Sequence, residues 1–157
     1  MQVEKIEYDN HTQIHYHNDG MGYRVLVLDN NSNVIQDEIS EYDHNGKHIA
    51  DIVFGADHTT IIGMRKYTED GFEDYRRVGS ELVLVQYKKN HWIVPNQKLK
   101  SEFYNEKDEL VFYNIFEKDE DESIGMVSMG NFDANNVVFG WDNPPHQAKI
   151  LQSYSDY

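Results

Sequence analysis

The sequence predicts a mainly β fold, either an antiparallel meander or a barrel-like curved sheet of about ten strands. Three observations lead to this prediction. Turn-forming Asn, Asp, Gly and Pro residues recur along the chain, and the runs between them have the length of ordinary strands, about six to eight residues. Aromatic residues make up 13% of the chain and Tyr is the most frequent of them, which suits half-buried pleated surfaces. No internal segment has the apolar period of a long helix.

Individual elements follow from local patterns. Thr12, Ile14 and Tyr16 alternate with polar residues, which is typical of a strand with one apolar face. The apolar runs 23–28, 82–87 and 110–116 are predicted to be central strands. The turn 142–145 could start a short C-terminal helix from His146 to about Tyr154, although a frayed tail fits the same residues. The predicted core consists of Ile14, Val25, Val27, Ile35, Ile49, Val53, Ile61, Leu82, Leu84, Trp92, Val111, Ile115, Val138 and Trp141.

One element recurs within the chain. The segments 28–35 and 42–49 align at an offset of 14 residues, and Asp37 and Asp51 continue the match. The shared element is an apolar or aromatic residue, then Asp or Asn, then an Asn or Gly able to take positive φ before a new strand, which encodes a hairpin with a short bulged loop. Fainter copies occur at Tyr104-Asn105 and Phe132-Asp133. These segments resemble the hairpin units of YD-type and related bacterial tandem β-repeats.

Composition restricts the classes of partner. The 157 residues match one domain, residues 1–157, with 28 acidic and 14 basic residues and a net charge of −14. Such a charge repels phosphate backbones and anionic lipids, so neither direct nucleic-acid binding nor a membrane is expected. The chain has no cysteine, and its first residues lack the features of a signal peptide, which favours a cytoplasmic location.

The negative charge is concentrated in one part of the chain. Residues 102–122 contain nine acids and two lysines, whereas residues 65–100 contain eight basic residues and five acids. A loop after the strand 110–116 would carry five carboxylates that attract a basic protein, with aromatic residues as buried anchors. The predicted partner-binding residues are Glu117, Asp119, Glu120, Asp121 and Glu122, with Phe116 and Tyr113 as anchors. The same loop could simply be a solvated tip.

Histidine offers a second candidate site. His15 and His17 form an H-x-H pair on a predicted strand, and the period of two places both on one face together with His11. Three imidazoles could hold Zn²⁺ or Fe²⁺ with a carboxylate from Asp19 or Glu7. The alternative is that these histidines occupy the solvent face of a polar edge strand. Beyond this possible divalent metal, no cofactor is expected.

Three functions follow from these features. The first is a small bacterial or phage protein that binds and neutralises a basic macromolecule, such as an immunity protein, an antitoxin or an inhibitor of a nucleic-acid enzyme. The second is a metal-dependent hydrolase that uses the His-x-His strand. The third is a β-repeat scaffold without catalysis. Charge favours the first, so we expect a binding protein rather than an enzyme.

Overall fold

The computed structural model describes residues 1–19, 21–121 and 125–148. It contains twelve strands, two more than expected, and each strand lies beside the next one along the chain. This order confirms the antiparallel meander. The strands are β1 (Gln2–Glu7), β2 (Thr12–Asn18), β3 (Met21–Leu28), β4 (Val34–Tyr42), β5 (His48–Phe54), β6 (Ile61–Tyr67), β7 (Gly71–Val78), β8 (Glu81–Val94), β9 (Lys98–Asn105), β10 (Leu110–Lys118), β11 (Met126–Asp133) and β12 (Val138–Phe139).

The internal contacts divide the chain into two compact units. Among the described residues, the first unit comprises Met1–Tyr67 and Tyr75–Val83, and the second comprises Thr68–Asp74 and residues 84–148. A helical turn begins at His146, where the sequence predicted a helix start, and reaches Ala148 at the end of the described residues. The rest of the predicted helix, to about Tyr154, lies outside them. Among the described residues, no helix has the length and apolar character needed to span a membrane.

Four hairpin loops share one geometry, and they are the four copies of the recurring sequence element. In each loop the Asp or Asn side chain accepts the N–H groups of the second and fourth residues after it. The third residue after it has a positive φ, between 62° and 79°. The loops start at Asp29, Asp43, Asn105 and Asp133, and their positive-φ residues are Ser32, Gly46, Asp108 and Asn136. The predicted similarity between these segments is therefore a similarity of loop structure.

The second unit has an aromatic core. Phe103 and Phe112 stack with ring centroids 4.2 Å apart, and Trp141 packs edge-on against Phe112 at 5.3 Å. Val111 and the fully buried Ala148 complete this cluster. The helical turn after residue 145 therefore packs on the aromatic residues of β9 and β10 through Ala148.

The prediction that certain residues are buried in the core is wrong for several of them. Val53 and Val111 are buried as expected, but five others are exposed over more than a third of their surface: Ile35, Ile49, Trp92, Val138 and Trp141. Ile35 and Ile49 lie beside hairpin loops, and Val138 lies in β12, which is only two residues long. Trp141 contacts the rings of Phe112 and Phe139 and still keeps 41% of its surface exposed. Alternating patterns show which residues share a face of a strand, but they do not show what covers that face.

Candidate functional site

Of the predicted acidic residues, the four that the structure describes lie at the end of β10 and in the turn after it, within the second unit. Glu117 is near the end of β10, and the turn brings Asp119, Glu120 and Asp121 directly after it. The N–H of Asp119 donates to the carbonyl of Gly125 at 2.9 Å, which closes the hairpin. Glu122 lies outside the described residues. We call residues 117–121 the acidic hairpin; it carries four carboxylates and one lysine.

An open groove of about 820 Å³ lies between the acidic hairpin and the β8–β9 turn. The Lys118 N–H donates to the carbonyl of Gln97 at 2.8 Å and joins the two walls. This volume is within the range of about 300–1,000 Å³ that ligand-binding clefts occupy. The groove, which we call the edge groove, is lined by Val94, Pro95, Asn96, Gln97, Lys98, Glu117, Lys118, Asp119 and Glu120.

Strand register places a mixed row of side chains on one face of the sheet beside this groove. Val94 pairs with Lys98, Lys98 with Glu117, and Glu117 with Val127. Directly opposed residues of antiparallel strands project to the same face. Lys98 Nζ lies 4.0 Å from Glu117 Oε1, and both side chains remain more than a third exposed. The outer members of the row are also solvent-accessible, since Val94 is 40% and Val127 39% exposed.

The predicted aromatic anchors are placed differently from the acids. Tyr113 is buried, its ring stacks on Phe132 with centroids 5.1 Å apart, and its hydroxyl donates to Asn136 at 2.8 Å. Phe116 pairs with Leu99 and therefore projects to the face opposite Glu117, its neighbour in the chain. The exposed apolar residues Val127 and Met129 line a second depression of about 260 Å³ with the acidic hairpin.

The histidine-rich strand forms a line of hydrogen bonds in the first unit. Gln13 Nε2 lies 3.3 Å from His11 Nε2, and Gln13 Oε1 lies 2.9 Å from His15 Nε2. His17 Nε2 is 4.0 Å from a Glu4 carboxylate oxygen. Gln13 thus stands between the first two imidazoles. In residues 1–19, 21–121 and 125–148, no group of three or more His, Cys, Asp or Glu side chains could hold a metal ion.

A third constellation, which sequence reasoning did not select, surrounds Asp51 in the first unit. The Asp51 carboxylate accepts hydrogen bonds from Ser40 Oγ at 2.7 Å, His48 Nε2 at 2.6 Å and Tyr67 Oη at 2.8 Å. The His48 ring stacks on Tyr42 with centroids 4.9 Å apart and contacts Tyr67 at 4.6 Å. We call these five residues the Asp51 cluster. It joins β4, β5 and β6 through polar side chains.

The pKa values of two residues in this region, Glu38 and Tyr67, are raised above their usual values. Burial, together with the nearby negative charge of Asp51, raises the pKa of Glu38, against the opposing effect of Arg65 and His48. Burial and the hydrogen bond to Asp51 raise the pKa of Tyr67 to about 12. A carboxyl group with a raised pKa beside a carboxylate is a feature of many acid–base sites, but it also arises in purely structural networks.

A similar arrangement surrounds Asp37 on β4. Arg24 Nε and Nη2 each donate to one Asp37 oxygen at 2.9 Å, and His58 Nδ1 lies 2.8 Å from Asp37 Oδ2. Burial alone would raise the pKa of Asp37, but the hydrogen bonds and positive charges of Arg24 and His58 outweigh it and hold the pKa below its usual value. Two successive repeats thus each contain an Asp whose carboxylate is hydrogen-bonded to a histidine.

The internal sequence repeat could have pointed to both carboxylates, Asp37 and Asp51. Asp37 and Asp51 occupy equivalent positions 14 residues apart, and both side chains tie neighbouring strands together. Their histidine partners could not be assigned in advance, because His58 lies in a loop with φ of 60° and His48 reaches Asp51 three residues away.

The chain matches no protein-family model, no curated protein and no solved structure.

Proposed function

We propose that this chain binds and neutralises a basic protein partner through the acidic hairpin. The observation that supports the proposal most strongly is the position of this hairpin beside exposed apolar side chains and an open groove. Negative charge attracts and orients a basic partner, and apolar contacts supply the area that holds it once water is displaced. An immunity protein, an antitoxin or an inhibitor of a nucleic-acid enzyme would need such a surface.

Electrostatics in the hairpin favours binding to a cation. Glu117 has Lys98 as an ion-pair partner, but an exposed pair at 4.0 Å contributes little in water. Glu120 is exposed in the turn that follows β10. Carboxylates that are adjacent in the chain repel one another, and an approaching basic surface relieves this repulsion. The acidic hairpin therefore has more to gain from a basic partner than dispersed acids would have.

Capture experiments with matched variants test the proposal. The tagged chain is used to capture proteins from a cell lysate at about 50 mM and about 500 mM salt, because screening weakens interactions between exposed charges. The test variant is Glu117→Gln/Glu120→Gln. The control variant is Glu81→Gln/Glu106→Gln, which removes the same charge from two exposed positions elsewhere. Basic proteins captured by the wild type and the control but lost with the test variant would support the proposal. Equal capture by both variants would reject it.

A second candidate function rests on a different observation. The four hairpin loops with shared geometry favour a β-repeat scaffold, in which repeated hairpins serve assembly alone. A scaffold would depend on its loops and strands and would tolerate neutralisation of the acidic hairpin. The same pair of variants therefore separates the two functions.

A further inference from the structure

Two lysines, Lys98 and Lys118, line the edge groove, and Lys98 pairs directly with Glu117 across the strands. Lys98 and Glu117 are the two inner members of the row formed by Val94, Lys98, Glu117 and Val127, and the Lys98 ammonium group lies 4.0 Å from Glu117. At this distance the pair is too long for a good hydrogen bond, and solvent reaches both side chains. Lys98 therefore partly neutralises Glu117 without being held firmly by it.

A cation from a partner could satisfy this site better than Lys98 does. An arginine guanidinium presents a planar fork that bonds carboxylates in a bidentate manner, whereas an ammonium acts as a point charge. The plane of a guanidinium also packs well on apolar surface such as the exposed Val94 of the groove wall. Glu120 forms part of the same groove wall and offers a second carboxylate. The chemistry of the groove thus favours arginine over lysine.

We propose that the edge groove is a docking site for an extended, arginine-bearing segment of a basic protein, and that Lys98 competes with the arginine for Glu117. This inference rests on the proposed function and names the part of the partner that the acidic hairpin recognises. Charge complementarity selects the occupant, because the groove walls combine carboxylates with exposed apolar side chains. Lys98 then sets how tightly the groove holds its partner.

Lys98→Met tests the competition, because methionine keeps an apolar stem and removes the charge. Lys107→Met is the matched control, since Lys107 is exposed in the β9–β10 turn and its loss changes the net charge equally. The probes are fluorescein-labelled nona-arginine and nona-lysine peptides, and binding is followed by fluorescence anisotropy at low salt. We expect nona-arginine to bind more tightly than nona-lysine. Lys98→Met should strengthen nona-arginine binding roughly three- to tenfold, and Lys107→Met less than about twofold.

The variants of the acidic hairpin separate this inference from the proposed function. If Glu117→Gln/Glu120→Gln weakens nona-arginine binding while Lys98→Met and Lys107→Met behave alike, the groove is not the docking site but the hairpin still binds cations. If Glu117→Gln/Glu120→Gln binds as tightly as Glu81→Gln/Glu106→Gln, both ideas fail. No binding of nona-arginine to the wild type would also overturn the inference. Lys98→Gln repeats the test with a different neutral side chain, and circular dichroism verifies that each variant is folded.

Discussion

His48 Nε2 lies 2.6 Å from Oδ1 of Asp51, and the same carboxylate also accepts the hydroxyl groups of Ser40 and Tyr67. One acidic side chain thus satisfies three donors from three adjacent strands. A donor that is shielded from water and loses its acceptor lowers the free energy of unfolding, because its desolvation is no longer compensated by a hydrogen bond. Ser40, His48 and Tyr67 therefore share Asp51 as their acceptor.

Removing the Asp51 carboxylate should destabilise the chain strongly. Asp51→Ala leaves three half-buried donors without an acceptor, and we expect the free energy of unfolding to fall by about 2–4 kcal/mol. Urea unfolding monitored by circular dichroism measures this change. Glu41→Ala, which removes an exposed acid from β4, should change the free energy by less than about 0.5 kcal/mol. A loss for Asp51→Ala as small as that of the control would show that the cluster does not support the fold.

The raised pKa of Glu38 predicts a specific pH dependence. Because its pKa in the folded chain lies above the unfolded value of 4.5, the folded chain binds this proton more tightly. The stabilisation of the folded chain is complete at pH values below the pKa that Glu38 has in the unfolded chain. It is lost as pH rises through the pKa that Glu38 has in the folded chain. Glu38→Gln should therefore gain stability relative to the wild type as pH rises from about 4 to 7. Urea unfolding across this range measures the difference, and a difference that is constant or falls with pH would contradict the prediction.

Arg24 should be important because its partner is buried. Asp37 has only 3% of its side chain exposed, so loss of the bidentate guanidinium leaves the carboxylate with His58 alone. We expect Arg24→Met to lower the free energy of unfolding by about 1–3 kcal/mol at neutral pH. The loss should shrink as acid protonates Asp37. Lys66→Met, a change at an exposed position of β6, serves as the control, and the prediction fails if both variants are equally stable.

The shared loop geometry predicts which substitutions the loops accept. Asn105 fills the role that Asp43 fills in its own loop, with an amide oxygen in place of a carboxylate. Asp43→Asn should therefore change the free energy of unfolding by less than about 0.5 kcal/mol, whereas Asp43→Ala, which loses both N–H acceptors, should cost about 1–2 kcal/mol. Thermal and urea unfolding provide the comparison. Equal destabilisation by the two substitutions would mean that the accepting oxygen is not what these loops need.

The fold class and the hairpin loops could be predicted from sequence because both depend on local chemistry. The loops at residues 43 and 133 have the expected Gly or Asn at positive φ, Gly46 and Asn136, whereas Ser32 and Asp108 take this conformation in the other two loops. The sequence also placed the acids of the loop after Phe116 close together, since neighbours in a hairpin cannot separate far. Each of these predictions needed no knowledge of distant contacts.

Surface features that depend on pairing between strands could not be predicted in this way. The face to which Phe116 projects follows from its register with Leu99, and the groove exists because the turn at residue 97 bonds to residue 118. A shift of register by one residue would exchange the two faces of a strand. The exposure of Trp92 was missed for the same reason: an apolar side chain shows its preference for burial but not whether another part of the chain covers it.

The salt dependence of partner binding tests the central claim most directly. For a basic protein recovered by capture, the dissociation constant is measured between about 50 and 500 mM salt for the wild type and for Glu117→Gln/Glu120→Gln. We predict that the wild-type constant rises at least about tenfold over this range and that the variant binds more weakly with a shallower dependence on salt. A constant that does not change with salt, or the same dependence in both proteins, would contradict recognition through the acidic hairpin.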